Sequence, residues 1–171
     1  SKHCYLLESA SQTEVWGRFS FLGYEPAMEI TCTDGVLNIR KTGEDMVVTK
    51  KVEHPGDTLR EIIEQYKTPV MEELPPFTGG LVGYFSYDYI KYSEQKLKLE
   101  DKEQQDFRDM DLMLFDQVIA FDHYRQKVLL IAGVMTDDLE ASYQKAEGKL
   151  EEMAQLLKTG PHMEFEKLKL E

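Results

Sequence analysis

The chain has 171 residues, 42% of them hydrophobic, and its 32 acidic and 20 basic side chains give a net charge of -12. This length and apolar content exclude a disordered chain and allow one domain with a real core. The acidic balance disfavours nucleic-acid and membrane partners, and with no apolar run of the roughly 20 residues that span a bilayer and no signal peptide, a cytoplasmic protein is expected.

The first half reads as strands. His3 to Leu7 is a short apolar run, and Arg18 to Leu22 alternates with Phe19 and Phe21 on one face. Ala27 to Thr33 and Val36 to Lys41 flank Asp34-Gly35, a dipeptide suited to the positive backbone angles of a tight hairpin. Met46 to Val52 follows the Thr42-Gly43 turn, so a meander of antiparallel strands is expected. Cys4 and Cys32 lie in apolar, strand-like sequence and are expected to be buried and reduced.

The pattern changes at His54-Pro55-Gly56. Thr58 and Glu61 match a capping box, Leu59, Ile62, Ile63 and Tyr66 recur at helical spacing, and Pro69 ends the run. After a proline-containing loop, Thr78 to Asp88 reads as a glycine-rich strand whose glycines imply a close backbone neighbour. Glu94 to Asp109 is charged and aperiodic and reads as a solvated or mobile loop. Leu112 to Phe121 and Lys127 to Val134 form two apolar strands joined by a hairpin loop over 122–126. A helix then starts at Asp137 with Glu140, carries Leu139, Tyr143, Ala146, Leu150, Met153 and Leu157 on one stripe, and stops at Gly160-Pro161.

Motifs with chemical meaning are few. Gly79-Gly80-x-x-Gly83 lacks the Gly-Lys-Ser/Thr ending of a phosphate loop and the strand-to-helix GxGxxG context, so it reads as packing. Asp109, Asp111 and Asp116 have Met and Leu neighbours rather than those of a calcium loop and read as a solvated strand edge. The four histidines are scattered, and with no CxxC spacing no zinc site can be assembled. His123 reads as a lone surface histidine, and no GxSxG elbow is present. The residues alone therefore describe a mixed α and β domain without evident enzyme chemistry.

Three ordered segments carry a family likeness. Leu6-Leu7-Glu8-Ser9-Ala10 followed by 17–23, then 76–88 with its glycine-rich strand, then 112–122, resemble in order the opening half of anthranilate synthase component I. The resemblance implies an α+β fold of antiparallel sheets packed with a few helices. It implies that 1–161 is the amino-terminal regulatory domain and 162–171 a linker toward a carboxy-terminal, chorismate-binding domain of the same parent chain. Chorismate and magnesium would bind in that other half, so no catalytic residue, metal ligand or cofactor is assigned here. A glutamine amidotransferase subunit is the implied partner, and L-tryptophan the implied feedback inhibitor.

For the tryptophan site the resemblance points to Glu8 and Ser9, with Leu7 and Arg18 as neighbours. Such a site needs a few polar groups for the ammonium and carboxylate and an apolar slot for the ring. Without the resemblance, Glu8 and Ser9 would simply end the first strand. Component I of aminodeoxychorismate synthase, which shares the fold, is the alternative enzyme. A stand-alone ligand-binding or interaction module is the alternative of a different class, and the charged end after Pro161 speaks against it.

Overall fold

The computed structural model describes residues 3–9, 17–94 and 107–160. Nine strands form two antiparallel sheets: β1 Cys4–Leu7, β2 Phe19–Tyr24, β3 Met28–Thr33, β4 Val36–Lys41, β5 Val47–Lys51, β6 Gly80–Phe85, β7 Met110–Phe115, β8 Gln117–Asp122 and β9 Lys127–Ala132. Helix α1 is Pro55–Gln65, helix α2 is Leu139–Thr159, and a 3₁₀ helix covers Tyr87–Tyr92. The four-stranded sheet has the order β1-β2-β8-β9, and the five-stranded sheet β5-β4-β3-β7-β6. This is the α+β architecture expected, with two departures in connectivity.

First, the early strands do not form one meander. β1 and β2 enter one sheet and β3 to β5 the other, the chain crossing at Glu25, which has φ 53°, and Pro26. Alternation of apolar and polar residues specifies a strand's faces but not its partner, so this crossing left no mark in the pattern. Second, the apolar run expected as one strand over 112–121 divides at Asp116 into β7 and β8, which belong to different sheets. The Asp116 carbonyl accepts from the Gly133 amide at 2.7 Å, and its carboxylate takes Lys149 Nζ of α2 at 2.8 and 2.9 Å.

The five-stranded sheet packs α1 on one face. Met28, Ile30 and Cys32 of β3 stand opposite Leu114, Leu112 and Met110 of β7, and Leu37, Leu59 and Ile62 complete the cluster. Burying each large aliphatic side chain contributes roughly 1.5–3 kcal/mol. Cys32 is fully buried in this core, whereas Cys4 is exposed on the edge strand β1, and both are free thiols. In the other sheet five of the six residues of β8 are buried, as in a strand covered on both sides. Helix α2 packs against β9 and buries Ala146 and Met153. Its stripe is only partly used, since Leu139, Tyr143 and Leu157 are exposed at its two ends.

Both helix starts differ from the sequence expectation. Pro55, with its fixed φ, opens α1 in place of a capping box, and Thr58 is buried inside the helix. Asp138 rather than Asp137 caps α2, accepting from the Ala141 amide at 3.3 Å.

Asp109 is buried rather than solvated, and β7 lies inside the sheet, so the expected strand edge is absent. The Asp109 carboxylate accepts from Lys91 Nζ at 2.8 Å, Tyr92 Oη at 2.7 Å and the Asp34 amide at 2.7 Å. Burial pushes this carboxyl up, but these three donors hold it below its ordinary value. Tyr92 Oη also accepts from the Gly35 amide at 2.6 Å, which ties the 3₁₀ helix to the β3–β4 hairpin. Asp111 meets Arg108 at 2.8 Å.

The glycine-rich strand is explained by contact with β7. Gly83 faces Leu112 in the ladder, and a Cβ there would sit 2.0 Å from the Asp111 carbonyl oxygen. Tyr5 lies across from Gly23, whose missing side chain leaves room for the Tyr5 ring, and the ring packs edge-on to Phe115 at 4.7 Å. Gly83→Ala is expected to lower stability by about 3 kcal/mol or more, because the clash is with backbone. Gly148→Ala in α2, where an added methyl meets nothing within 4 Å, should raise stability by about 0.5–1 kcal/mol. Chemical denaturation of the two variants checks both signs.

Candidate functional site

One end of the four-stranded sheet gathers the residues to which the sequence pointed. The register pairs Leu7 with Phe21, Phe19 with Asp122, and Asp122 with Lys127, so the end of β1, the start of β2, the end of β8 and the start of β9 lie together. Glu8 and Ser9 continue β1 and are exposed, and Leu7 is 44% exposed. Arg18 immediately precedes β2. The four residues thus share one end of one sheet, although Arg18 is paired with Asp122 and not with Glu8.

The Arg18 side chain is tightly held. Its Nε donates to Asp122 Oδ1 at 3.0 Å and its Nη2 to Oδ2 at 2.6 Å, a two-point pairing in which geometry as well as charge is specified. The guanidinium carbon lies 4.7 Å from the Phe19 ring centre and 5.7 Å from that of Tyr124. The Arg18 carbonyl accepts from the His123 amide at 2.9 Å. Asp122 is buried, and hydrogen bonds from Arg18 bring its carboxyl down to about 2 against the opposing effect of burial. Asp122, Tyr124 and Phe19 were not found from sequence, because Arg18 and Asp122 are 104 residues apart and only strand pairing joins them.

His123 is not a lone histidine. Its Nε2 lies 2.7 Å from Ser20 Oγ, and Ser20 is buried. This pair does not make a nucleophilic triad. The hydrogen bonds of the adjacent Asp122 carboxylate run to Arg18 and the Arg125 amide and not to the imidazole.

Beside this end of the sheet runs an open groove of about 560 Å³, within the size range of small-molecule sites. Arg18, Phe19, Asp122, Arg125 and Lys127 line it together with Met71, Glu72, Glu73 and Leu74, so of the four expected residues it takes in Arg18 but not Leu7, Glu8 or Ser9. It offers cations, carboxylates and apolar surface in one place, a donor set suited to a zwitterion with a hydrophobic side chain. Among the described residues no group of three His, Cys, Asp or Glu side chains could hold a metal ion, and no helix is long and apolar enough to cross a membrane. Pro161 and the tail over 162–171, Ala10, and 95–106 of the expected charged loop lie outside the described residues.

A family model described as chorismate binding enzyme matches residues 2–170. Anthranilate synthase component 1 of Acinetobacter calcoaceticus is 34% identical over 169 residues, covering 96% of this chain and 34% of that protein. Aminodeoxychorismate synthase component 1 of Bacillus subtilis is 35% identical over 160 residues, covering 91% of this chain and 30% of that protein. The crystal structure of anthranilate synthase component I from Streptococcus pneumoniae superimposes with a TM-score of 0.67 at 29% identity, covering all of this chain and 35% of that one. The chain therefore spans about a third of the length of these relatives.

The Arg18–Asp122 pair also sets an acid dependence. The Asp122 carboxyl is lowered from 3.8 to about 2 in the folded state, so its contribution is present above the unfolded value and is lost as pH falls from there toward about 2. Asp122→Asn is expected to be less stable than the parent sequence near neutral pH. That difference should shrink as the pH approaches about 2, as measured by denaturant unfolding of both proteins across the acid range.

Proposed function

Since this chain belongs to the chorismate binding enzyme family, we propose that it is the amino-terminal, regulatory part of an anthranilate synthase component I. The parent enzyme would convert chorismate to anthranilate in tryptophan biosynthesis and respond to L-tryptophan. The observation that carries this reading is the likeness along nearly the whole chain to component I enzymes, 34% identity over 169 residues in one and a shared fold at a TM-score of 0.67 in another. The exposed Leu7-Glu8-Ser9 segment beside a held arginine supplies the polar groups that a free amino acid requires.

In this reading Glu8 meets the ligand ammonium, Ser9 offers a hydroxyl and a main-chain contact, and Leu7 and Arg18 flank them. Chorismate, magnesium and the reacting groups belong to the carboxy-terminal half, and the ammonia comes through a glutamine amidotransferase subunit. The residues described here do not fit magnesium, since Asp109, Asp111 and Asp116 are each engaged by Lys91, Arg108 and Lys149. The chain alone is accordingly expected to be inactive, and its place of action the cytoplasm.

Regulation follows from linkage. Tryptophan inhibits only if it binds the low-activity arrangement of the two halves more tightly than the active one, and a site at their junction can do so. The similarity to the Bacillus subtilis aminodeoxychorismate synthase component favours a second reading, in which the parent serves folate synthesis. Product analysis of the full-length protein with chorismate and ammonia separates the two.

Two outcomes are expected. Ser9→Phe in the full-length enzyme fills the slot and relieves tryptophan inhibition with turnover largely kept; unchanged sensitivity removes Ser9 from the site. Calorimetry of the isolated chain with L-tryptophan gives weak or no binding, because the remaining walls lie in the other half, and micromolar affinity refutes that division.

A further inference from the structure

We propose that Asp122 is a positioning residue for amino-acid recognition, fixing the Arg18 guanidinium so that its remaining edge faces the groove and can meet a ligand carboxylate. The inference rests on the reading of Leu7, Glu8, Ser9 and Arg18 as a tryptophan site, and it names what gives that site its directionality.

Arg18 lines the groove together with Asp122, Arg125 and Lys127. Its Nε and Nη2 are both taken by Asp122, which leaves Nη1 outside the pair. An arginine reaching into solvent samples many rotamers, and holding it still costs up to roughly 2 kcal/mol of side-chain entropy. Here that ordering is done before any ligand arrives. Asp122 is 4% exposed and Arg18 27% exposed, so the anchor is inside and the anchored group is at the surface. The Phe19 and Tyr124 rings restrict the guanidinium further, and the His123 amide fixes the Arg18 backbone from the β8–β9 loop. A carboxylate bound by such a pre-set donor forms its hydrogen bond without the ordering loss, which is the usual source of affinity in a rigid site.

Asp122 is itself well placed as an anchor. It terminates β8, a strand buried almost throughout and paired on both sides, and its Oδ1 also accepts from the Arg125 amide at 3.1 Å. The carboxylate therefore has a fixed direction, and Arg18 takes that direction from it. Its carboxylate is turned toward Arg18 and the Arg125 amide, and the proposed route from Asp122 to a ligand carboxylate is through Arg18.

The test is a double-mutant cycle on L-tryptophan inhibition of the full-length enzyme, with Asp122→Asn, Arg18→Ala and the double variant. Loss of one charge-assisted contact is worth a change in inhibition constant of about ten-fold or more. Asp122→Asn is expected to weaken inhibition by that order. In the Arg18→Ala background the same change should then have no further effect. Equal effects of Asp122→Asn in both backgrounds would mean that it acts through general stability, and the proposal would fall. An Arg18→Ala enzyme that keeps full sensitivity would also overturn it.

Tyr124→Leu, at an exposed position, covers the case in which the buried substitution does not fold. It is expected to weaken inhibition by a smaller factor, about two- to five-fold, by loosening the guanidinium; unchanged inhibition counts against a held arginine. If Ser9→Phe also leaves inhibition intact, the tryptophan reading itself is at fault. If Ser9→Phe relieves inhibition and Asp122→Asn does not, only the role of Asp122 is lost.

Discussion

The turn from β7 to β8 at Asp116 is the constraint on which the two-sheet arrangement depends. A single residue separates Phe115, in the five-stranded sheet, from Gln117, in the four-stranded one. Both strands are interior, so each locks its sheet through two ladders, and any slip at the corner would shift both at once. The corner is held from three sides. Gly133 donates to the Asp116 carbonyl, Lys149 reaches its carboxylate from α2, and Gly79 brings the chain before β6 so close to the Phe115 carbonyl that a Cβ would lie 2.8 Å from it. Gln117 adds a bond from Nε2 to the Tyr24 carbonyl at 3.0 Å, fixing the end of β2.

The candidate site inherits its position from that corner. β8 runs without interruption from Gln117 to Asp122, and its register with β2 sets Asp122 opposite Phe19. Arg18 then meets Asp122 because it is the next residue along the chain from Phe19. A strand held on both sides transmits position with little slack, since packed interiors deform little. The loop residues His123 and Tyr124, by contrast, are exposed, yet each is attached to the same arginine, one through its amide and one through its ring.

Much of this was legible in the residues. The Asp34-Gly35 hairpin is real, with φ values of 47° and 74°, and the strand bounds fall within a few residues of the apolar runs. The glycines of β6 are where backbone approach requires them. The features without a local sequence signal are non-local. Phe115-Asp116-Gln117 looks like the middle of one strand because both halves are apolar and only the sheet assignment changes. Of the 3₁₀ helix over Tyr87–Tyr92, Tyr87 and Asp88 fall at the end of the stretch that reads as the glycine-rich strand, and the Tyr92 bonds to Gly35 and Asp109 show why the chain turns there. In the site, Leu7, Glu8, Ser9 and Arg18 came from family likeness, while their structural neighbours Asp122 and Tyr124 had no local signature at all.

The charge pattern connects these observations. In a chain of net charge -12, three carboxylates at the ends of β7 and β8 are each joined to a cation from an element far away in sequence or on another layer: Asp109 to Lys91, Asp116 to Lys149, and Asp122 to Arg18. Withdrawing a carboxylate from water without such a partner costs several kcal/mol, so the scarce cations are drawn to the sheet corners. Two of the three are lysines, compact point charges without a directed second edge, while the planar guanidinium, with two of its five donors used on Asp122, keeps others in a fixed direction. In the proposed reading Arg18 is the corner cation that holds the fold with one edge and meets a ligand carboxylate with another. A lysine at position 18 would keep the charge and lose that division of labour.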